Sequence, residues 1–186
     1  QKAGRERTSR DAVFPLAYRL PNAAPRDLAE KQLAEWGIGL DQSIVAFVGS
    51  WGRSFDRQLV LDTARRLGGR KDIVFAIAGE PMDGSLVPEF EAAPNIRLLG
   101  WIDAFQISIL LGRSQIGLLP YVPGAPQGLP NKFFEYMAHG CFQLATQTDE
   151  AGEKYAQGNT GRKVDGSADA FASAVVDYLD NPQRAQ

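Results

Sequence analysis

The 186-residue chain has one cysteine, Cys141, and one histidine, His139. A single cysteine excludes an intrachain disulfide framework and fits a reducing compartment. One cysteine and one histidine together give no basis for a Cys/His zinc site. No apolar run approaches the roughly 20 residues of a bilayer-spanning helix. No secretory leader pattern appears either, since the opening QKAGRERTSR is polar and basic. Residues 1–11 therefore read as a solvated tail. Neither sign of charge dominates: 20 basic and 22 acidic residues give a net charge of −2, too little for a nucleic-acid footprint. No Asp-x-Asp pair, internal repeat or low-complexity tract occurs.

What is present is the composition of a globular domain, 44% hydrophobic and 23% charged, long enough for one well-buried core and short for two. Apolar runs that stop at glycine predict strands at 43–48 (SIVAFV), 73–78 (IVFAIA) and 96–99, with further strands at 116–119, 142–145 and 162–164. Helical spacing predicts helices at 25–36, 56–67, 105–111, 131–139, 150–156 and 168–179, with residues 12–17 as an extended lead-in. In the second of these helices Leu59, Val60, Thr63, Ala64 and Leu67 share one side. Strands alternating with helices indicate an α/β, Rossmann-like, doubly wound parallel sheet. Ligands of that architecture sit beyond the C-terminal strand ends.

Two segments carry chemistry. In QGLPNKFFEYMAHG, residues 127–140, a Gly-Leu-Pro turn runs into a helix that Gly140 stops. Free N–H groups at such a helix start attract an anion, and Glu135, further along, is placed to reach hydroxyls attached to it. The plainer reading is an amphipathic helix with a solvated glutamate and buried Phe133, Phe134 and Met137. The turn GSWGRSFD, residues 49–56, puts Gly49, Ser50, Gly52 and Arg53 directly after a buried strand, where glycine lets backbone approach a phosphate. Lys132 at a helix start is unfavourable against the dipole unless an anion binds there. His139, at the far end of its helix, suits a C-terminal cation better than catalysis. Cys141, between apolar neighbours, suits a small buried hydrophobe.

The motif segment resembles the donor site of retaining glycosyltransferases with the two-domain GT-B fold, the family 4 type (group 1). These enzymes carry two glutamates separated by seven residues. Glu135 matches the second, which in the family binds ribose hydroxyls, whereas Gln127 stands where the first would be. FVGSWGRSFDRQLVLDTARRL is similar to the family's first strand, glycine-rich loop and helix, and Ser50 replaces a common arginine. NIRLLGWID and LLGRSQIGLLPY resemble the base-binding loop and the strand before the motif helix, and DAVFPLAY the linker into the C-terminal domain.

The resemblance implies that residues 12–186 are the nucleotide-sugar-binding C-terminal domain, one half of a GT-B fold, without the N-terminal acceptor domain. It implies transfer of a hexose-type sugar from a nucleoside diphosphate, with retention and without a metal. The donor itself is the only small molecule required, so no separate cofactor is expected. Arg53 and Lys132 are the expected catalytic cations. Gly49, Ser50, Gly52, Gly100, Trp101, Ile102, Gln127, Gly128, Leu129, Asn131 and Glu135 are the expected donor-binding residues. Expected partners are the donor and a glycan, lipid or small-molecule acceptor. The implied setting is cytoplasmic, with possible membrane-peripheral attachment of a longer protein, and the fragment alone is expected to be inactive. Two alternatives stand beside this: a nucleotide-sugar epimerase of the GT-B type, and a non-catalytic nucleotide-binding or interaction domain.

Overall fold

The structure, a computed structural model, describes residues 18–19, 22–80, 86–125, 130–146 and 159–181. The tail, the lead-in segment, the helix expected at 150–156, and Gln127, Gly128 and Leu129 lie outside the described residues.

A six-stranded sheet forms the middle layer, in the order β3-β2-β1-β4-β5-β6, and every pairing is parallel. Its strands are β1 (Ser43–Val48), β2 (Ile73–Ala78), β3 (Ile96–Gly100), β4 (Ser114–Leu119), β5 (Phe142–Ala145) and β6 (Gly161–Lys163). The described helices are α1 (Arg26–Glu35), α2 (Arg57–Arg66), α3 (Val87–Glu91), α4 (Ala104–Arg113), α5 (Asn131–Ala138) and α6 (Ala168–Asp180). The Rossmann-like doubly wound sheet expected from the sequence is present.

Helix cover on both faces explains why β1 and β2 are apolar without alternation. On one face Val45, Phe47, Phe75 and Ile77 pack under α2, α3 and α6. On the other, Ile44, Ala46, Val74 and Ala76 pack under α1, α4 and α5. Burying one such phenylalanine stabilises the fold by about 1.5–3 kcal/mol. Outside the core, α6 is tied to α2 by Arg66–Asp169 and to the turn before β2 by Arg70–Asp180. The chain winds from β1 outward to β3 and then returns to the other side of β1 as β4. The switch point, where such folds open a cleft, therefore lies between β1 and β4.

One difference from the sequence reading has a local cause: α3 is not visible in the sequence pattern, since five residues (VPEFE) with Phe90 as the buried one are too few to display a period. Pro130 is the N-cap of α5, next to the helix start expected at residue 131.

The strand ends pack backbone against backbone. Gly79 has φ +128°, and a Cβ placed there would overlap the carbonyl of Gly49. Gly79→Ala is therefore expected to cost about 2–3 kcal/mol from strain and overpacking combined. Gly69→Ala, at an exposed turn with no atom within 4 Å of the new methyl, should stay within about 0.5 kcal/mol of the parent. Urea denaturation of the two variants measures this contrast.

Candidate functional site

At the switch point the turn after β1 is held from both sides of the cleft. Gly49 donates its N–H to the Ala78 carbonyl at 2.8 Å, and Gly79 donates to Gly100 at 2.7 Å. Trp51 is buried, with its ring 4.1 Å from that of Phe47 and edge-on to Phe90. Phe55 packs edge-on to Phe47 and 4.8 Å from Tyr121, with which it forms an isolated antiparallel bridge. The Asp56 N–H reaches the Pro120 carbonyl at 2.6 Å, and Val122 donates to Ser54 at 3.0 Å. The segment after β1 is thus clasped to the segment after β4, and Asp56 then caps α2 by accepting from the Leu59 N–H. Ser50 and Arg53 are exposed on this turn and Gly52 is half-buried.

Across the cleft, α5 begins at Pro130 without a side-chain cap, unlike α2, α4 and α6. Lys132, in its first turn, folds onto the turn after β1. A Cβ on Gly49 would lie 2.5 Å from the Lys132 Nζ. The same ammonium stands over the Phe47 and Phe55 rings, 5.2 and 4.6 Å from their centroids. Cation–π attraction offsets part of the lost hydration, yet burial still pulls the Lys132 pKa below its ordinary value, while Glu135 opposes that shift. Gly49 (φ +116°) is therefore required twice, for its backbone angle and for the lysine resting on it.

Glu135, half-buried, follows on α5. Burial raises its pKa, and His139, Lys132 and a hydrogen bond from Tyr18 work against that rise. The His139 Nδ1 lies 2.9 Å from the Glu135 carbonyl, and its ring is 5.7 Å from Tyr18. His139 thus supports the end of α5. In the bland helix reading Phe133 is indeed buried, but Met137 is exposed.

Lys132, Glu135, Gly49 and the turn after it share this cleft, and Asn131, exposed, starts α5 beside them. Gly100, Trp101 and Ile102 lie one strand further out, at the end of β3. Gly100 has φ +64°, Trp101 is 74% exposed, and Ile102 turns into the core. Between these two groups, a cavity of about 140 Å³ is lined by Trp51, Arg57, Glu80, Leu86, Phe90 and Leu98. Arg57 and Glu80 give this apolar hollow its charged edge. Arg57 was passed over in the sequence because it reads as one more polar residue of a helix start. Tyr121 is buried, and its hydroxyl has no hydrogen-bond partner among the described residues. A larger cavity, about 610 Å³, opens between α1, α4 and the His139 end of α5. It lies at the opposite end of the sheet from the clasped turn. No cluster of His, Cys, Asp and Glu suited to a metal occurs among the described residues. No described helix is long and apolar enough to cross a membrane.

A parallel sheet with a switch point between β1 and β4, a glycine directly after its first strand and a helix without a side-chain cap carrying Lys132 and Glu135 define a Rossmann-like α/β domain. The chain belongs to the glycosyl transferases group 1 family, whose model matches residues 42–181. Against curated protein sequences the chain finds no match. Among solved structures it is similar to Anabaena Alr3699/HepE in complex with UDP and glucose, with a TM-score of 0.70 and 14% identity over 88% of this chain and 45% of that one. It is also similar to a glycosyltransferase from Rickettsia africae, with a TM-score of 0.69, 17% identity, 86% of this chain and 43% of that one. A third is the UDP-GlcNAc 2-epimerase of Neisseria meningitidis bound to UDP-GlcNAc, with a TM-score of 0.61, 12% identity, 86% of this chain and 42% of that one. The likeness establishes the GT-B type of Rossmann-like domain, and the chain spans less than half the length of each of these proteins.

Glu135 is a charge held where its ionised form is disfavoured. Because its folded pKa lies above the ordinary 4.5, the folded state loses stability as pH rises through that interval and carries the full penalty above it. Glu135→Gln is therefore expected to raise the melting temperature of the ligand-free chain near neutral pH. The gain should fade as pH falls towards 4.5. Differential scanning calorimetry across pH 4–8 tests the sign; a lower melting temperature at pH 7 would contradict it.

Proposed function

We propose that this chain is the donor-binding, C-terminal half of a retaining GT-B glycosyltransferase that transfers a hexose-type sugar from a nucleoside diphosphate. One observation carries the reading: the Lys132 ammonium rests on the glycine that ends β1, while Glu135 projects from the same helix, both at the split between β1 and β4. A diphosphate at this point meets a half-buried cation and the uncapped amides of Asn131 and Lys132, and the family resemblance assigns Gly128 and Leu129 to the same anion. Ser50, Gly52 and Arg53 border it from the other side, and Arg53 remains in solvent reach. Glu135 accepts hydrogen bonds from the ribose diol. The base enters the apolar cavity beside Trp51 and Leu98, with the backbone of Gly100 to Ile102 at its rim and Trp101 at its mouth. Gln127, by the family resemblance, is assigned to the sugar as a neutral hydrogen-bonding group.

In this reading the chain's work in transfer is electrostatic. As the bond from sugar to phosphate lengthens, negative charge accumulates on the departing diphosphate. Lys132 and the α5 amides are already oriented towards that charge, so little reorganisation is needed as it develops. Lys132 loses its unfavourable opposition to the helix dipole once an anion sits between them. The acceptor is held by a second domain outside this chain. The complexes of HepE with UDP and glucose make a uridine diphosphate donor the first to try. The likeness to the UDP-GlcNAc 2-epimerase favours a second reading, epimerisation of a nucleotide sugar. The products formed by the full-length protein separate the two: a glycosylated acceptor in one case, a 2-epimer in the other.

Titration calorimetry with UDP and with uridine tests the site in the isolated chain. Glu135→Gln should weaken UDP binding by about 1.5–3 kcal/mol, roughly 10- to 150-fold. Lys132→Met and Arg53→Ala should weaken UDP binding far more than uridine binding. The Arg53 effect should shrink with added salt, being exposed and screened over about 8 Å at physiological ionic strength, and the buried Lys132 effect should shrink less. Equal losses for UDP and uridine would remove both cations from the diphosphate. The chain alone should transfer no sugar, and turnover by it on a defined acceptor would refute the half-enzyme assignment.

A further inference from the structure

We infer that Tyr136 is a positioning residue for the donor site, its phenol set between β1 and β4 so that it fixes where Lys132 and Glu135 stand. The inference rests on the donor-site reading above. β1 and β4 pair at Ile44↔Ser114, Val45↔Ile116 and Ala46↔Gly117, and the pairing ends there although the strands continue to Val48 and Leu119. A hydroxyl occupies the next rung. The Val48 N–H donates to the Tyr136 Oη at 3.0 Å, and the Oη donates to the Leu118 carbonyl at 3.4 Å. Two bonds through one oxygen span more distance than a direct rung, so the phenol acts as a spacer that keeps the switch point open.

The ring is fitted as closely as the hydroxyl. Tyr136 has no exposed surface. A Cβ on Gly117 would stand 2.5 Å from its ring carbons, so the ring is seated where β4 has no side chain. Its carbonyl accepts from His139 and Cys141, which closes the end of α5. Val48 directly precedes Gly49, and Lys132 lies one turn before Tyr136 on the same helix. One side chain thus joins the strand end that bears Gly49 to the helix whose lysine rests on Gly49. Removing the hydroxyl leaves the Val48 N–H without its acceptor and frees α5 to shift against β1.

The test uses Tyr136→Phe, which keeps the ring, and Gly117→Ala, which displaces it. Thr63→Val is the control, since it loses another buried hydroxyl, one bonded to Leu59 within α2. The first readout needs no nucleotide: acetylation of Lys132 by a succinimidyl acetate, followed by peptide mass spectrometry relative to exposed Lys31 and Lys71. Acetylation should quicken at least threefold in Tyr136→Phe and Gly117→Ala and stay unchanged in Thr63→Val. The second readout is UDP affinity at a temperature where circular dichroism shows every variant folded. It should fall five- to tenfold in the first two variants alone. In Tyr136→Phe combined with Lys132→Met, the loss should be smaller than the product of the single losses, because Tyr136 acts through Lys132. An unchanged Lys132 acetylation rate in Tyr136→Phe, or fully multiplicative losses, overturns the inference. Absence of UDP binding by the parent chain would overturn the donor reading, while the acetylation comparison would still decide the role of Tyr136.

Discussion

The backbone of Gly49 is in contact with two partners that nothing larger than hydrogen would permit. On one side Gly79 leaves no room for a Cβ against the Gly49 carbonyl, and on the other the Lys132 ammonium occupies the space of a side chain. The first contact holds the ends of β1 and β2 together, and the second draws α5 across the switch point. The aromatic cluster of Phe47, Trp51, Phe55 and Tyr121 keeps the intervening turn from moving away. The relation between the turn after β1 and the helix with Glu135 depends on that double contact.

The arrangement has an energetic cost that the rest of the fold offsets. Burial disfavours the charged forms of both Lys132 and Glu135, and α5 lacks the side-chain cap that α2, α4 and α6 possess. A capping side chain is worth about 1 kcal/mol. An uncapped start and two desolvated charges on one eight-residue helix fit the proposed donor site, where activity would be favoured over stability. The compensation lies elsewhere. The two-sided burial of β1 and β2, the capping box at Asp103 and Gln106, and the Arg66–Asp169 pair joining α6 to α2 supply it.

Much of the sheet was legible because its information is local. The strands at 43–48, 73–78 and 142–145 are apolar runs with glycine or polar residues at their ends, and the structure has them at those positions. The buried side of α2 follows from helical spacing alone, and Cys141 is buried as its apolar neighbours suggest. What could not be read depends on which strands become neighbours. Lys132 looked like a solvated or ligand-facing cation, since its contact with Gly49 exists only once β4 returns beside β1. Trp51 and Phe55 looked like loop residues because their partners, Phe90 and Tyr121, are distant in sequence. Tyr136 gave no signal beyond a tyrosine in a helix. Its part in the sheet exists only where the ends of β1 and β4 lie side by side.

The three neighbouring strands β1, β2 and β3 all end in glycine with positive φ, at Gly49, Gly79 and Gly100. The floor of the cleft is therefore made of main chain, and main-chain atoms are the same whichever ligand is chosen. In the proposed donor site, discrimination among bases and sugars would come from the walls, where Arg57, Glu80 and Trp101 contribute side chains. A family built on such a floor can change its ligand through wall substitutions while the floor stays as it is, because any Cβ at Gly79 would close the strand ends that all of its ligands would share.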